Sequence, residues 1–171
     1  MKSRILAVVL LPIALRGQSA PIISGVFNGG SFDSRLAPGC LADVFGSNLG
    51  TDTSLAVTVG GKPAKVTLAI PTQLVIEIPV DAPLGPATIH AGNSAAFDIT
   101  LLKYAPGLLS QSGMGTGLVA AVHVRSGEVV DIFNPATSGE SLAMYAVGLG
   151  PTNPVVPTGA PAPVEIGRAH V

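Results

Sequence analysis

Residues 55–102, LAVTVGGKPAKVTLAIPTQLVIEIPVDAPLGPATIHAGNSAAFDITLL, decide the fold class. Leu55, Val57 and Val59 share one face of an extended segment, and Gly60-Gly61 follows as a hairpin turn. Beyond it, Val66, Leu68 and Ile70 are expected inward, with Lys65 and Thr67 facing away. Leu74, Ile76 and Ile78 then alternate with Val75 and Glu77, and Ala87, Ile89 and Ala91 with Thr88 and His90. After a turn at Gly92-Asn93, Phe97, Ile99 and Leu101 alternate with Asp98 and Thr100. Successive side chains of a strand point to opposite faces, so each run is a strand with one buried face.

Working outward, "PIISGVFN" from Pro21 supplies a first strand, and Cys40, Ala42 and Val44 point inward while Asp43 points out. Short strands about ten residues apart, with Gly and Pro between them, predict an all-β antiparallel sandwich. No helix longer than a turn or two is expected. The composition agrees, with 47% hydrophobic and 11% charged residues, 21 Gly, 15 Pro and no Trp among 171 residues.

Residues 104–117 are expected to be a linker loop. "GLVAAVHVRSGEVVDIFN" then predicts a hairpin turning at Arg125-Ser126-Gly127, with Val122 and Val124 on one face and His123 and Arg125 on the other. Next comes an internal comparison: "GCLADVFGSNLGT" from Gly39 aligns without gaps on "GESLAMYAVGLGP" from Gly139, an offset of 100 positions. Gly39/Gly139, Leu49/Leu149 and Gly50/Gly150 are identical, and Phe27-Asn28 and Phe133-Asn134 lead the two copies. A degenerate repeat follows, its second copy incomplete and leaving strand edges unpaired. Everything after Gly150 is expected to be irregular and poorly packed.

At the N-terminus, Lys2 and Arg4 precede an apolar run from Ile5 to Leu15 and the small residues Gly17 and Ser19. That order predicts an export signal over residues 1–19, too short an apolar run to span a bilayer; an uncut anchor is the competing reading, and Arg16 is irregular for a cleavage site. The organisation expected is therefore signal 1–19, sandwich 20–103, linker 104–117, a truncated second β unit 118–164 and a tail 165–171. Without the signal's Lys2, Arg4 and Arg16 and the Arg168 of the final six residues, five basic residues face ten acids, a net charge of about −5 by that count. Such a balance argues against nucleic acid or an anionic membrane as partner. Cys40 is the single cysteine, so no internal disulfide is expected and a buried apolar role suits it.

Several blocks carry a resemblance: residues 28–50, residues 58–92, "YAPGLL" from Tyr104, "FNPATSGESLAMYAVGLGPTNP" from Phe133 and "VPTGAPAP" from Val156. In this order they resemble the secreted C-terminal domain family of Solibacter-type acidobacteria, which is similar to IPT/TIG immunoglobulin-like domains. The resemblance spans Pro21 to about Val164. It implies an exported or cell-surface bacterial protein with an immunoglobulin-like sandwich, a β-hairpin and an incomplete second immunoglobulin-like unit. It implies no catalytic residue. The final six residues, Ile166 to Val171, resemble the translation of a common short-read sequencing adapter, which implies a read-through terminus.

The search for chemistry assigns no catalytic, cofactor or metal residue. A serine hydrolase would place its nucleophile on a turn such as G-x-S-x-G, which the chain lacks. His90 and His123 are expected on polar, solvent-facing strand faces without metal-ligand spacing. "GMGTG", Gly113 to Gly117, lacks the spacings of a phosphate-binding loop. Asp33, Asp43 and Asp52, near Asn28 and Asn48, are the oxygen donors a Ca²⁺ site would draw on, without a compact acidic motif. The expected function is a non-enzymatic structural, spacer or adhesion module whose partners are neighbouring domains or cell-surface polymers. The alternative is a carbohydrate-binding module, for which Tyr104 and Tyr145 would be the sugar platforms; 4% aromatic residues and the absence of Trp weigh against it. An enzyme is the third reading.

Overall fold

A computed structural model describes residues 19–161. The expected export signal therefore lies almost wholly outside the described residues, as does the adapter-like tail. Within them the chain is all-β: β1 (Ile22–Asn28), β2 (Leu41–Ser47), β3 (Val57–Val59), β4 (Lys62–Ile70), β5 (Gln73–Glu77), β6 (Gly85–Ala91), β7 (Phe97–Leu101), β8 (Gly107–Leu108), β9 (Ala121–His123), β10 (Leu142–Met144) and β11 (Ala146–Val147).

The first seven strands form one antiparallel sheet in the order β1-β2-β5-β4-β3-β6-β7. β4 holds its two layers together. Its first residues pair with β3 across the Gly60-Gly61 turn, Val57 opposite Ala64, and the remainder pairs with β5, Ile70 opposite Gln73. Both turn glycines have positive φ, 56° and 77°, the conformation a two-residue hairpin needs to match strand twist. Residues of both layers, including Val44, Ile76, Val57 and Ile89, meet in one apolar core. The outer edges approach each other where Leu36 bridges Leu101 in parallel and the Leu102 amide donates to the Leu36 carbonyl at 2.8 Å.

The expected alternation holds in β5, β6 and β7, where Leu74, Ile76, Ile89 and Leu101 are buried. In β4 it fails halfway. A bulge between Val66 and Leu68 inserts a residue opposite β5, so the inward phase moves from Val66 to Ala69. Leu68 and Ile70, expected in the core, are exposed. Asp43, expected to point to solvent, is buried because Gln73 lies over it and donates from Nε2 to its carboxylate at 2.8 Å.

The second half of the chain forms two short ribbons, β9 with β10 and β8 with β11. The segment expected as a linker contains β8, whose Leu108 lies opposite Ala146. The hairpin does turn at residues 125–127, the Gly127 amide donating to the His123 carbonyl at 2.8 Å. The expected faces hold for Arg125, which is exposed, but not for His123, which is buried, or Val124, which is exposed.

The repeat is visible in the backbone. Gly39, Asn48 and Gly50 have φ of 74°, 57° and 80°, and Gly139, Gly148 and Gly150 have 85°, 70° and 94°. Left-handed residues are uncommon, and three at one constant offset mark two copies of one path. The register extends the match: β2 pairs Ala42 with Asn28 and Val44 with Val26, and β10 pairs Leu142 with His123 and Met144 with Ala121. β11 on β8 likewise corresponds to the other end of β2 on β1. The second copy of β1 is thus split into β8 and β9 by an intervening loop. His123, not Asn134, is the counterpart of Asn28.

Candidate interaction surface

Asn28 closes the first unit onto the second. Its side chain is fully buried and makes four hydrogen bonds: Nδ2 donates to the carbonyls of Ala105 at 2.8 Å and Arg35 at 3.1 Å, while Oδ1 accepts from the amides of Gly30 at 2.8 Å and Ser31 at 3.2 Å. An amide has two donors and two acceptor lone pairs, so the group is saturated. Ala105 leads into β8, so this side chain ties the start of the second unit to the loop after β1. Phe27, Phe32 and Phe45 form an aromatic cluster, Phe27 stacked on Phe32 at 5.2 Å between ring centroids and Phe45 edge-on to both.

His123 occupies the matching place in the second unit with different partners. Its Nε2 lies 3.2 Å from the Asn134 carbonyl oxygen and its Nδ1 3.1 Å from Glu140 Oε1. The Asn134 carbonyl first, and Glu140 after it, favour the protonated ring and raise its pKa. The Thr137 amide, donating to the Glu140 carboxylate at 2.9 Å, together with His123 lowers that carboxyl.

The other candidates have local partners or a buried place in the fold. His90 is half-buried, with Nδ1 3.4 Å from the Ser94 carbonyl oxygen. Asp33 is engaged by Arg35, which lowers its pKa, and Asp52 by the amide and hydroxyl of Ser54, with the same effect. Burial pushes Asp43 up against the opposing Gln73 bond. Among the described residues no three His, Cys, Asp or Glu side chains come together as a metal site. Gly113–Gly117 is a turn pinned by Ser110 and Ser112, and Gly115 lies against the Ser31 backbone. Cys40 is buried, and desolvation pushes its thiol up to about 11. Tyr104 and Tyr145 are both exposed.

The last described residues form no strand, as expected, but they are not loose. The Gly159 amide donates to Glu77 Oε2 at 2.9 Å and the Val80 amide to Thr158 Oγ1 at 3.0 Å. With Leu41, Leu84 and Val155 this segment walls an apolar cleft of about 590 Å³.

The feature that most distinguishes the two units is the free side of β10. In the first unit β2 is covered by β5, with Ala42 opposite Ile76 and Val44 opposite Leu74. Among the described residues no strand covers β10 in that place. Val44 and Leu49 are 0% and 1% exposed, and their counterparts Met144 and Leu149 are 56% and 63% exposed. Sequence reasoning placed an unpaired edge in this unit without locating it; register pairing identifies it as the β10 edge.

These features define an all-β protein, a seven-stranded antiparallel sandwich-like sheet followed by two short two-stranded ribbons. No family model matches the chain, and no curated protein matches it. Among solved structures it is similar to an auxiliary nutrient binding protein from Bacteroides thetaiotaomicron, with 22% identity and a TM-score of 0.41. The match covers 52% of this chain and 22% of the length of that protein. Among the described residues, no helix is long and apolar enough to cross a membrane.

Proposed function

We propose that this protein is a non-catalytic, exported immunoglobulin-like module that acts as a structural, spacer or protein-interaction domain. The observation that carries the reading is the pair of units themselves: a saturated, packed first unit joined through Asn28 to a second whose β10 edge is covered by no strand among the described residues. A packed sheet can hold neighbouring domains apart, and an edge strand left unpaired can accept a binding partner through backbone hydrogen bonds. The Lys2 and Arg4 pair before the apolar run Ile5 to Leu15, and the resemblance to secreted acidobacterial domains, support export. The test is a panel of glycosidase, esterase and peptidase substrates with the purified chain, run beside a polysaccharide pull-down. The module reading expects neither turnover nor retention. Turnover overturns it in favour of an enzyme, and retention lost on Tyr104→Ala or Tyr145→Ala overturns it in favour of a carbohydrate-binding module.

A further inference from the structure

Resting on the module reading and naming the partner of its open edge, we propose that β10 binds a separate extended segment with branched apolar residues at alternate positions, added antiparallel as β5 is added to β2. Hydrogen bonding says which residues face the free side. The Val124 amide donates to the Ser141 carbonyl and the Tyr145 amide to the Ala120 carbonyl, so Ser141 and Tyr145 direct their backbone groups toward β9 and its flanks. Backbone groups alternate in an antiparallel ladder, so those of Leu142 and Met144 point to the free side. The first unit has the same arrangement one offset earlier. Backbone bonds join Cys40 to Ile78 and Gly46 to Thr72, so the even-numbered residues of β2 face β5, and Ala42 and Val44 meet Ile76 and Leu74.

The chemistry of the occupant follows from the same correspondence. β5 presents Leu74 and Ile76, followed by Ile78, to the core, all fully buried, and it covers Val44. A strand on β10 would meet Met144 on the inward face, with Leu149 exposed just beyond β11. Both are apolar, so Leu and Ile at alternate positions are the complement and a polar strand is not.

The experiment uses the full chain and a synthetic peptide of residues 71–79, PTQLVIEIP, solubilised by added C-terminal lysines. Binding is read by fluorescence anisotropy and by hydrogen exchange at the Leu142 and Met144 amides. The expected result is saturable binding that slows exchange at both amides, and no binding by the same peptide with Ser at positions 74, 76 and 78. Met144→Lys weakens binding by about tenfold or more, since a charge on an edge strand opposes pairing. Phe133→Ser, on an exposed side chain away from the edge, leaves it unchanged. The proposal is overturned if the two amides are already protected in the free monomer, which makes the chain's own residues the occupant. It is overturned if protection rises with protein concentration, which makes a second copy the occupant, or if the peptide leaves both amides unprotected. None of these three results bears on the substrate panel, so failure here leaves the non-catalytic reading standing, and turnover there leaves strand binding standing.

Discussion

His123 stands in the second unit where Asn28 stands in the first: each faces inward on the first strand of its unit, opposite Leu142 and Ala42 respectively. The two side chains solve one problem in two ways. Asn28 saturates four neutral hydrogen bonds, whereas His123 places an ionisable ring between a carbonyl and a carboxylate. The first unit is therefore insensitive to protonation at this point and the second is not.

Asn28→Ala leaves the buried Ala105 carbonyl, the part-buried Arg35 carbonyl and two amides without their partner. The expected loss is on the order of 3 kcal/mol, read as a fall in the urea midpoint of the full chain. Asn28→Asp is at least as damaging, because a carboxylate oxygen replaces the donor that faces the Ala105 and Arg35 carbonyls. A loss below about 0.5 kcal/mol would remove Asn28 as the tie between the units.

The β4 bulge makes a smaller residue matter more than a larger one. Val66→Ala is expected to cost about 1.6 kcal/mol, the value of two buried methylenes, and Leu68→Ala no more than about 0.5 kcal/mol. Chemical denaturation of the two variants decides it; the reverse order would place Leu68 in the core and abolish the bulge.

For His123 and Glu140 the pH window follows from the two directions. The raised His123 contributes stability that is complete below its ordinary value of 6.5 and is lost as pH rises through the folded value above it. The lowered Glu140 contributes stability that is present above 4.5 and is lost as pH falls through the folded value below it. Protection factors of the Val122 and Ala143 amides, which pair β9 with β10, should be greatest, after correction for intrinsic exchange, between about pH 4.5 and 6.5. Glu128, whose charge also favours the protonated ring, modulates the upper limit. His123→Gln should flatten the upper edge of the window; an unchanged profile in that variant would assign it to other groups.

Cys40 should resist an aromatic disulfide reagent in the native chain and react at the rate of global unfolding. Its thiol is buried and held neutral at neutral pH by desolvation. Rapid native-state labelling would contradict its place in the core.

Much of the first unit could be read from alternation, because β5, β6 and β7 are regular strands with one buried face each. What escaped was whatever depends on a second strand. The β4 bulge is one extra residue and leaves no mark in composition, yet it turns Leu68 and Ile70 outward. Burial of Asp43 depends on Gln73, thirty positions away. The repeat was legible in its glycines, but its lead was misplaced: the loop between β8 and β9 hides the second copy of β1, and Phe133-Asn134 imitates Phe27-Asn28 in sequence alone. His123 was expected at the surface because its alternation with Val122 and Val124 assigned it to the polar face of the hairpin.

The most direct test of a closed first unit and an open second one is residue-resolved hydrogen exchange on the full chain, comparing Ala42 and Val44 with Leu142 and Met144. The structure places the first pair between β1 and β5 and leaves the second pair facing no described strand. Ala42 and Val44 should exchange only through global unfolding, and Leu142 and Met144 orders of magnitude faster through local opening or direct solvent access. Equal protection of the two pairs would contradict the account.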